Sequence, residues 1–349
     1  MSKDADTTKP AALGVPKRRW SFKKLQQASI LILVLVLGLY ASLTCPTFLT
    51  WTNIVDTLFT NAAAIAIIAI GMTFVMIAGG FDLSVGANTA VCAIVLVLTV
   101  NALSAYGQWV AIPAGILAAC LAGMAMGTIN GVLIAYVGVN PFVVTLSTML
   151  VLRGVALVLT NGGQSLMVVE PGLRKTLSSV LFDSSIPLFG PHHRIAIPIF
   201  IFLGVLAIGI YLLKYTRFGH YVYAVGGNQE AARLAGVNAR RVKAATYVMC
   251  GLGCAIAGAI LVADATNAAA EAHQGLEFVV IACVIVGGTV LGGGSGGLML
   301  TITGVILLRL IDNLMTQFDV QSAYRAMVTG LMILVVVTID VLVKKRTKS

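Results

Sequence analysis

Apolar runs follow one another along nearly the whole chain, separated by short polar or glycine-rich stretches. A helix needs about 20 apolar residues to cross the hydrocarbon core of a bilayer, so the pattern predicts an all-α polytopic membrane protein with about ten transmembrane helices. Glycine-rich segments are expected to break some of these helices. The predicted spans cover residues 29–45, 58–78, 84–103, 109–136, 142–160, 194–214, 244–263, 277–293, 297–316 and 324–343.

Lysine and arginine cluster in three stretches, with seven in 1–28, six in 214–243 and four in 344–349. Cytoplasmic segments beside membrane spans carry such an excess, which predicts that both termini and the loop 214–243 are cytoplasmic. An even number of crossings places the two termini on the same side, in agreement with this assignment. The chain is thus divided into a basic tail 1–28, a transmembrane domain 29–343 and a tail 344–349.

The composition excludes several classes of function. Of the residues, 58% are hydrophobic and 10% are charged, whereas a soluble domain carries about 25% charged residues. The net charge of +10 comes mainly from the clusters that set the topology, and nucleic acid is not an expected partner. The sequence has no GxxxxGK[ST] motif, so the chain itself is expected to bind no ATP. No clustered His, Cys or carboxylate group predicts a metal, a cofactor or an enzymatic site.

One segment interrupts two apolar helices. In GMTFVMIAGGFDLSVGANT (71–89), a glycine pair ends one apolar run and a lone carboxylate precedes the next. Asp82 or Ser84 can cap the free N–H groups of the second helix. Irregular backbone at membrane depth must be satisfied by protein or water, so the break is predicted either to line a watery path or to form a cytoplasmic turn. The predicted break residues are Gly79, Gly80, Asp82, Ser84 and Gly86.

Two further segments interrupt the apolar pattern or place a charged residue within it. Asn140-Pro141 is predicted to begin a helix, because proline at a first-turn position loses no hydrogen bond. Arg153 lies inside the span that follows, and it is interpreted as part of a structural pair, an interfacial anchor or a substrate contact. Seven glycines between residues 287 and 297 permit close helix approach and predict a broken helix.

The loop 214–243 contains a short helix with signals at both ends. Asn228 is a favourable N-cap, Glu230 lies in the first turn, and Gly236 stands where a C′ glycine belongs. The glycine pair 226–227 is expected to break the chain before this helix. So short a helix is not stable alone, so it is expected either to dock on a partner or to remain a solvated loop helix.

The loop 161–193 is the longest on the opposite side. Its apolar residues at helical spacing predict a short amphipathic helix at the membrane interface. These residues are Leu173, Leu177, Val180 and Leu181. The helix is interpreted either as a seat for an external partner or as an ordinary structural loop.

Four segments together resemble the membrane permeases of ribose, xylose, arabinose, galactose and galactofuranose ABC importers. They are GMTFVMIAGGFDLSVGA (71–87), NPFVVTLSTMLVLRG (140–154), TRFGHYVYAVGGNQEAARLAGV (216–237) and GLEF…IVGGTVLGGG (275–294). The likeness runs over nearly the whole chain. It implies a permease domain at 29–343 that moves a monosaccharide, a pentose or hexose including furanose forms, across the bacterial inner membrane by alternating access.

The resemblance also implies partners. They are a cytoplasmic ATPase that holds ATP and Mg²⁺, a second permease, identical or paralogous, and a periplasmic sugar-binding protein. The resemblance further implies that the loop 214–243 is a coupling loop whose helix at 228–236 contacts the ATPase. The residues implied in coupling are Gly226, Gly227, Asn228, Glu230, Ala231, Ala232, Arg233 and Gly236.

The substrate path is expected to use neutral hydrogen-bonding groups, because charged residues are scarce within the spans. The candidates are Asn61, Asn88, Asn130, Thr145 and Asn313, with Phe74 and Phe142 as walls for sugar faces. For each of them, a helix-packing contact is the simpler interpretation.

Two residues depart from the family pattern. Val279 stands where relatives commonly carry Asp, and Ser295 stands where many carry Arg, which leaves the sugar open. A permease for branched-chain amino acids or nucleosides is the nearest alternative. An ion-coupled secondary transporter needs a titratable relay inside the membrane, whereas the acidic residues of this chain are scattered.

Overall fold

The computed structural model describes residues 22–179, 186–187 and 194–321, with the shorter stretches 323–325, 327–332, 334 and 338. Its helices are α1 (Phe22–Thr44), α2 (Thr60–Ile77), α3 (Val85–Ala102), α4 (Gln108–Val132), α5 (Pro141–Leu159), α6 (Pro171–Ser178), α7 (Ile197–Tyr215), α8 (Arg217–Gly227), α9 (Gln229–Leu234), α10 (Ala239–Ala265), α11 (Leu276–Val286) and α12 (Leu298–Gln317). π-Helical segments precede α2 (Thr52–Phe59) and extend α4 (Leu133–Val137), and Ser104–Tyr106 form a 3₁₀ turn.

The described strands are two residues long and form two antiparallel pairs. β1 (Leu166–Met167) pairs with β4 (Asn267–Ala268), and β2 (Ile186–Pro187) pairs with β3 (Arg194–Ile195). The first pair joins the segment after α5 to the segment after α10. The fold is therefore helical in all its larger parts, as predicted.

Within the described residues, seven helical segments are long and apolar enough to cross a membrane. They are Thr52–Ile77, Val85–Ala102, Gln108–Val137, Pro141–Leu159, Ile197–Tyr215, Ala239–Ala265 and Leu298–Gln317. Each coincides with a predicted span, so the polytopic architecture is confirmed. α1 contributes a shorter apolar stretch, Ile30–Thr44. The predicted span 324–343 lies largely outside the described residues, and the total of ten stays a prediction.

The predicted span 277–293 is wrong in length. α11 ends at Val286 after 11 residues, which corresponds to about 16 Å, roughly half the thickness of the hydrocarbon core. Gly288 has a φ of +88°, and the N–H groups of Gly288 and Thr289 bond back to carbonyls in the last turn. This geometry closes a helix at a C′ glycine. The expected break is confirmed, and it comes at the first glycine pair.

α2 is the central helix of the bundle. Nearly all of its residues are buried, because its sequence contains no charged side chain and α7, α10, α11 and α12 pack around it. Residues of α2, α10, α11 and α12 share one apolar core. The end of α2 therefore lies inside protein rather than against lipid.

α4 and α10 approach each other closely along a row of small residues. Gly123, Gly127 and Gly131 are spaced four residues apart on α4. A Cβ added at Gly127 would overlap the Tyr247 carbonyl oxygen, and one added at Gly131 would lie 2.9 Å from the Ala244 Cα. Small residues at this spacing let membrane helices pack backbone to backbone, so these glycines set the distance between α4 and α10.

Polar contacts gather at two opposite ends of the bundle. At one end, α8, the break after α2 and the glycine loop (residues 287–297) meet. At the other end, Asn101 Nδ2 donates a hydrogen bond to the Met167 carbonyl at 2.9 Å. Thr176 Oγ1 donates there to Gln108 Oε1 at 2.6 Å. The loop 214–243 and the described residues 161–179 therefore lie at different ends, in agreement with the predicted alternation of sides.

The amphipathic helix predicted in the loop 161–193 is present as α6. The Glu170 side chain accepts a hydrogen bond from the Leu173 N–H and caps the helix. Leu173 and Leu177 are buried, as their spacing predicts. Val180 and Leu181 lie outside the described residues.

A cluster of amide side chains ties the π-helical segment before α2 to α12. Asn313 Nδ2 and Gln317 Nε2 both donate hydrogen bonds to Asn53 Oδ1 at 2.8 Å. Asn53 Nδ2 donates to the Phe48 carbonyl at 2.9 Å. Asn53 and Asn313 are buried, and a buried amide is stable only when its hydrogen bonds are made. The cluster therefore fixes the start of the central helix on α12.

Replacing Asn53 with leucine should destabilise the fold by about 1–3 kcal/mol, because it leaves the amides of Asn313 and Gln317 without an acceptor. Asn61→Leu is the matched control, since it removes an exposed amide in the first turn of α2. The measurement is the apparent melting temperature of the purified chain in detergent at one fixed scan rate. Equal melting temperatures for the two variants would contradict the clamping role of Asn53.

Candidate functional site

The short helix expected after Asn228 is present as α9 (Gln229–Leu234). The Asn228 side chain accepts a hydrogen bond from the Ala231 N–H at 3.0 Å, as expected for an N-cap. Gly236 has a φ of +83°, and the N–H groups of Gly236 and Val237 bond back to carbonyls of α9. The geometry of both helix ends agrees with the sequence signals.

α9 presents most of its side chains to solvent. Glu230 and Arg233 form an ion pair at 2.6 Å with 66% of each side chain exposed. The hydrogen bond from Arg233 lowers the pKa of Glu230. Leu234 is 77% exposed, whereas Ala232 is buried. A helix of six residues gains little stability by itself, and its outer face, with Leu234 at the end, is available to a partner.

Gly226 locks α8 against two other elements. A Cβ added at Gly226 would overlap the Ile77 carbonyl oxygen and would lie 2.6 Å from the Gly294 nitrogen. The Gly294 N–H donates a hydrogen bond to that same carbonyl at 2.8 Å, and Tyr223 Oη donates to the Gly296 carbonyl at 2.9 Å. α8 is therefore fixed to the end of α2 and to the glycine loop, and α9 follows it directly.

The chain break predicted at residues 226–227 is displaced. α8 includes both glycines and ends at Gly227, and the backbone leaves the helical conformation at Asn228, where φ is −155° and ψ is 103°. The two glycines also differ in their surroundings. Gly226 is a contact point, whereas nothing lies within 4 Å of a Cβ added at Gly227.

The break after α2 is enclosed by a buried polar network. Asp82 Oδ1 accepts hydrogen bonds from the Ser84 N–H at 2.8 Å and from Ser84 Oγ at 2.5 Å. Asn130 Nδ2 donates to Ser84 Oγ at 3.0 Å, and Thr148 Oγ1 donates to Asn130 Oδ1 at 2.7 Å. Asp82, Ser84 and Asn130 are buried. Asp82 thus orders the turn into α3, and the side chains of Asn130 on α4 and Thr148 on α5 complete the hydrogen bonds of this polar network.

The glycines of this break have separate roles. Gly79 has a φ of +83°, a conformation that lets the chain turn after α2 and that favours glycine. A Cβ at Gly80 would lie 2.5 Å from Tyr247 Oη, and one at Gly86 would overlap the Glu277 carboxylate. Gly80 and Gly86 therefore permit close packing against α10 and α11.

Most of the predicted path residues are buried within the subunit. Phe74 stacks on Phe218 with ring centroids 6.2 Å apart, and Thr145 Oγ1 donates a hydrogen bond to the Pro141 carbonyl at 2.8 Å. The buried candidates are Phe74, Asn88, Asn130, Thr145 and Asn313, whereas Asn61 and Phe142 are exposed. The contacts of the buried group are those of helix packing, and a place on the substrate path stays a prediction for each residue.

A polar pocket that the sequence did not single out lies between α5 and the α10–α11 loop (residues 266–275). Its volume is about 340 Å³, and its polar walls are Arg153, Glu271, Gln274 and Glu277. The available signal was an arginine inside one span and a glutamate at the start of another apolar run, since ionisable residues in such places are usually functional. No group of His, Cys, Asp and Glu side chains suited to a metal ion occurs in the part of the chain that the structure describes.

The sequence matches a known family of membrane proteins. The family described as branched-chain amino acid transport system / permease component matches residues 54–337. The chain belongs to this permease family. It is therefore a component of a transporter rather than an enzyme, and it is a multi-pass membrane protein.

Relatives of this permease match it over almost its full length. The ribose import permease protein of Escherichia coli (strain K12) is 35% identical over 322 residues, covering 90% of this chain and 94% of the relative. The L-arabinose transport system permease protein of the same organism is 31% identical, covering 94% of each chain. Its xylose transport system permease protein is 28% identical, covering 93% of this chain and 95% of the relative. No solved structure matches the permease.

Gly226→Ala should lower the apparent melting temperature of the permease, because the new methyl group meets a backbone carbonyl that cannot move aside. Overpacking of this kind costs about 1–3 kcal/mol. Gly227→Ala is the control, since it adds the same group one residue later into open space. Thermal unfolding in detergent compares the two variants. A Gly226→Ala variant as stable as Gly227→Ala would refute the close contact of Gly226 with the Ile77 carbonyl and the glycine loop.

Proposed function

We propose that this permease is the transmembrane pore subunit of an ABC importer that moves a monosaccharide, a pentose or a hexose, across the bacterial inner membrane by alternating access. The observation that carries the proposal is the near full-length similarity to permeases named for ribose, L-arabinose and xylose. The exposed α9 and its fixed connection to the central helix support the same mechanism.

In this proposal α9 contacts a cytoplasmic ATPase. The helix stands outside the spans, exposes Glu230, Arg233 and Leu234 and is joined to α2 and the glycine loop through α8. A displacement of α9 by a partner therefore reaches the centre of the bundle through backbone contacts. ATP and Mg²⁺ belong to the ATPase, because this chain carries no phosphate-binding motif.

Two further partners complete the proposed importer. A second permease, identical or paralogous, packs beside this one, because a path for a polar solute needs protein on all sides. A periplasmic sugar-binding protein docks at the opposite end from α9, near α6. The basic tails 1–28 and 344–349 and the coupling loop 214–243 are cytoplasmic, and ten crossings link these regions.

Branched-chain amino acids are the competing substrate class, because the family description names them. The test uses the native host with the gene for this chain deleted, and then restored. Restoration should recover uptake of labelled D-ribose, L-arabinose or D-xylose and leave uptake of L-leucine unchanged. Recovery of L-leucine uptake alone would replace the sugar assignment by the amino-acid assignment.

Leu234→Asp should prevent the ATPase from copurifying with the permease, because a charge replaces the apolar end of the proposed docking face. Val169→Asp is the control, since Val169 is comparably exposed at 74% and lies at the other end of the bundle. Pull-down from solubilised membranes measures the effect. Full copurification of the ATPase with Leu234→Asp would show that α9 is not its docking face.

A further inference from the structure

The pocket between α5 and the α10–α11 loop has a fixed framework. Arg153 Nη1 donates hydrogen bonds to the carbonyls of Ala270 and Ala272 at 2.8 and 2.7 Å. These bonds hold the loop against α5. Glu277 Oε1 accepts a hydrogen bond from the Gly275 N–H at 3.2 Å, which places the carboxylate at the start of α11. The two charged groups are thus positioned by backbone contacts on both sides of the pocket.

One polar atom of this framework makes no hydrogen bond in the described structure. Glu277 is 5% exposed, and its Oε2 atom is buried without a hydrogen-bond partner in the described structure. The ion pairs of the described residues lie elsewhere, so Arg153 and Glu277 do not pair directly. A buried acceptor without a partner costs free energy, so this atom of a pocket-lining residue calls for a hydrogen-bond donor that the described chain does not supply.

The side chains of Arg153 and Glu277 both lie close to Gly86. A Cβ added at Gly86 would overlap Glu277 Oε2 and would lie 3.6 Å from Arg153 Nη2. The free end of the guanidinium and the unpaired carboxylate oxygen are therefore near neighbours. A donor and an acceptor at this separation can bind adjacent polar groups of one small molecule.

The depth of the pocket argues against a lipid-facing role. Arg153 lies 12 residues after the first residue of α5, or about 18 Å along a helix of about 28 Å. Charged groups at such depth face protein or water, since exposure to lipid is costly. The carbonyls of Ala270 and Ala272 supply part of this protein environment. In the proposed importer, on which this inference rests, the open side of the pocket faces the solute path or the second permease.

We propose that this pocket is a sugar-binding subsite of the transport path. Arg153 Nη2 donates to sugar oxygens, Glu277 Oε2 accepts from a sugar hydroxyl, and Gln274 supplies both a donor and an acceptor. Met149 and Leu157 form the apolar walls and pack against the C–H face of the ring. The volume of about 340 Å³ lies within the roughly 300–1,000 Å³ that is usual for small-ligand sites.

The charge balance narrows the ligand class. Glu271 and Glu277 together outweigh Arg153, so the pocket carries net negative charge. Burial, and secondarily the Arg153 cation, lower the pKa of His273, so this neighbouring imidazole stays neutral near pH 7 and adds no positive charge. The subsite therefore accepts a neutral polyhydroxyl compound and rejects sugar phosphates.

The test is protection of a cysteine from labelling in membranes of the native host. Leu157→Cys places a thiol in the pocket wall, and Val169→Cys places one outside the pocket. D-Ribose, L-arabinose and D-xylose are each added during reaction with a charged methanethiosulfonate reagent. The transported sugar should slow labelling at Leu157→Cys about tenfold at ten times its dissociation constant and leave Val169→Cys unaffected. D-Ribose 5-phosphate should not protect.

Glu277→Gln in the Leu157→Cys background should weaken protection about tenfold or more, because a charge-assisted hydrogen bond is replaced by a weaker one. Glu170→Gln, which changes a carboxylate at the cap of α6, should leave protection intact. Equal labelling with and without a sugar that the host imports through this chain would overturn the subsite and leave the importer standing. Absence of any sugar uptake through the chain would instead refute the proposed function, and protection by L-leucine would overturn the sugar subsite.

Discussion

The contact between Gly226, Ile77 and Gly294 joins the parts of this permease that are irregular. α2 ends at a carbonyl whose hydrogen bond is supplied by the glycine loop, and α8 closes over that bond with no room for a side chain. Irregular backbone at membrane depth needs such partners. The contact therefore satisfies the end of α2 and at the same time attaches the exposed α9 to the core.

From this contact a short mechanical path leads to the polar pocket. The glycine loop starts where α11 ends, and α11 carries Glu277 near its first residue. Because α11 is about 16 Å long, it reaches from the glycine loop at one end of the bundle to the depth of Arg153. In the proposed importer, a displacement of α8 would thus be transmitted through α11 to the Glu277 carboxylate, which binds the sugar. A helix that crossed the whole membrane in place of α11 would have no end within the membrane at the depth of Arg153.

The sequence predicted the parts of the fold that depend on local rules. Apolar length located the seven confirmed spans, and capping residues located α9 within one residue of its observed start. The break in the glycine-rich segment was also expected. These features depend on neighbours in sequence, so no tertiary information was needed.

The remaining features depend on contacts between distant segments. The role of Gly226 is set by the Ile77 carbonyl, which lies far away in the chain. The glycines of α4 at 123, 127 and 131 become informative only when α10 is placed against them. Asn130 and Asn313 suited a sugar path by their chemistry, yet packing gives them buried partners. The pocket depends on a loop that returns to α5, which no local pattern reveals.

In the proposed importer, a nucleotide-driven partner drives this permease by displacing α9. The most direct measurement is sugar uptake by vesicles that contain the permease with its ATPase and binding protein, with ATP supplied and ion gradients collapsed by ionophores. Concentrative uptake is expected under these conditions, and none is expected when an ion gradient replaces ATP. Uptake driven by a proton or sodium gradient without ATP would contradict this mechanism.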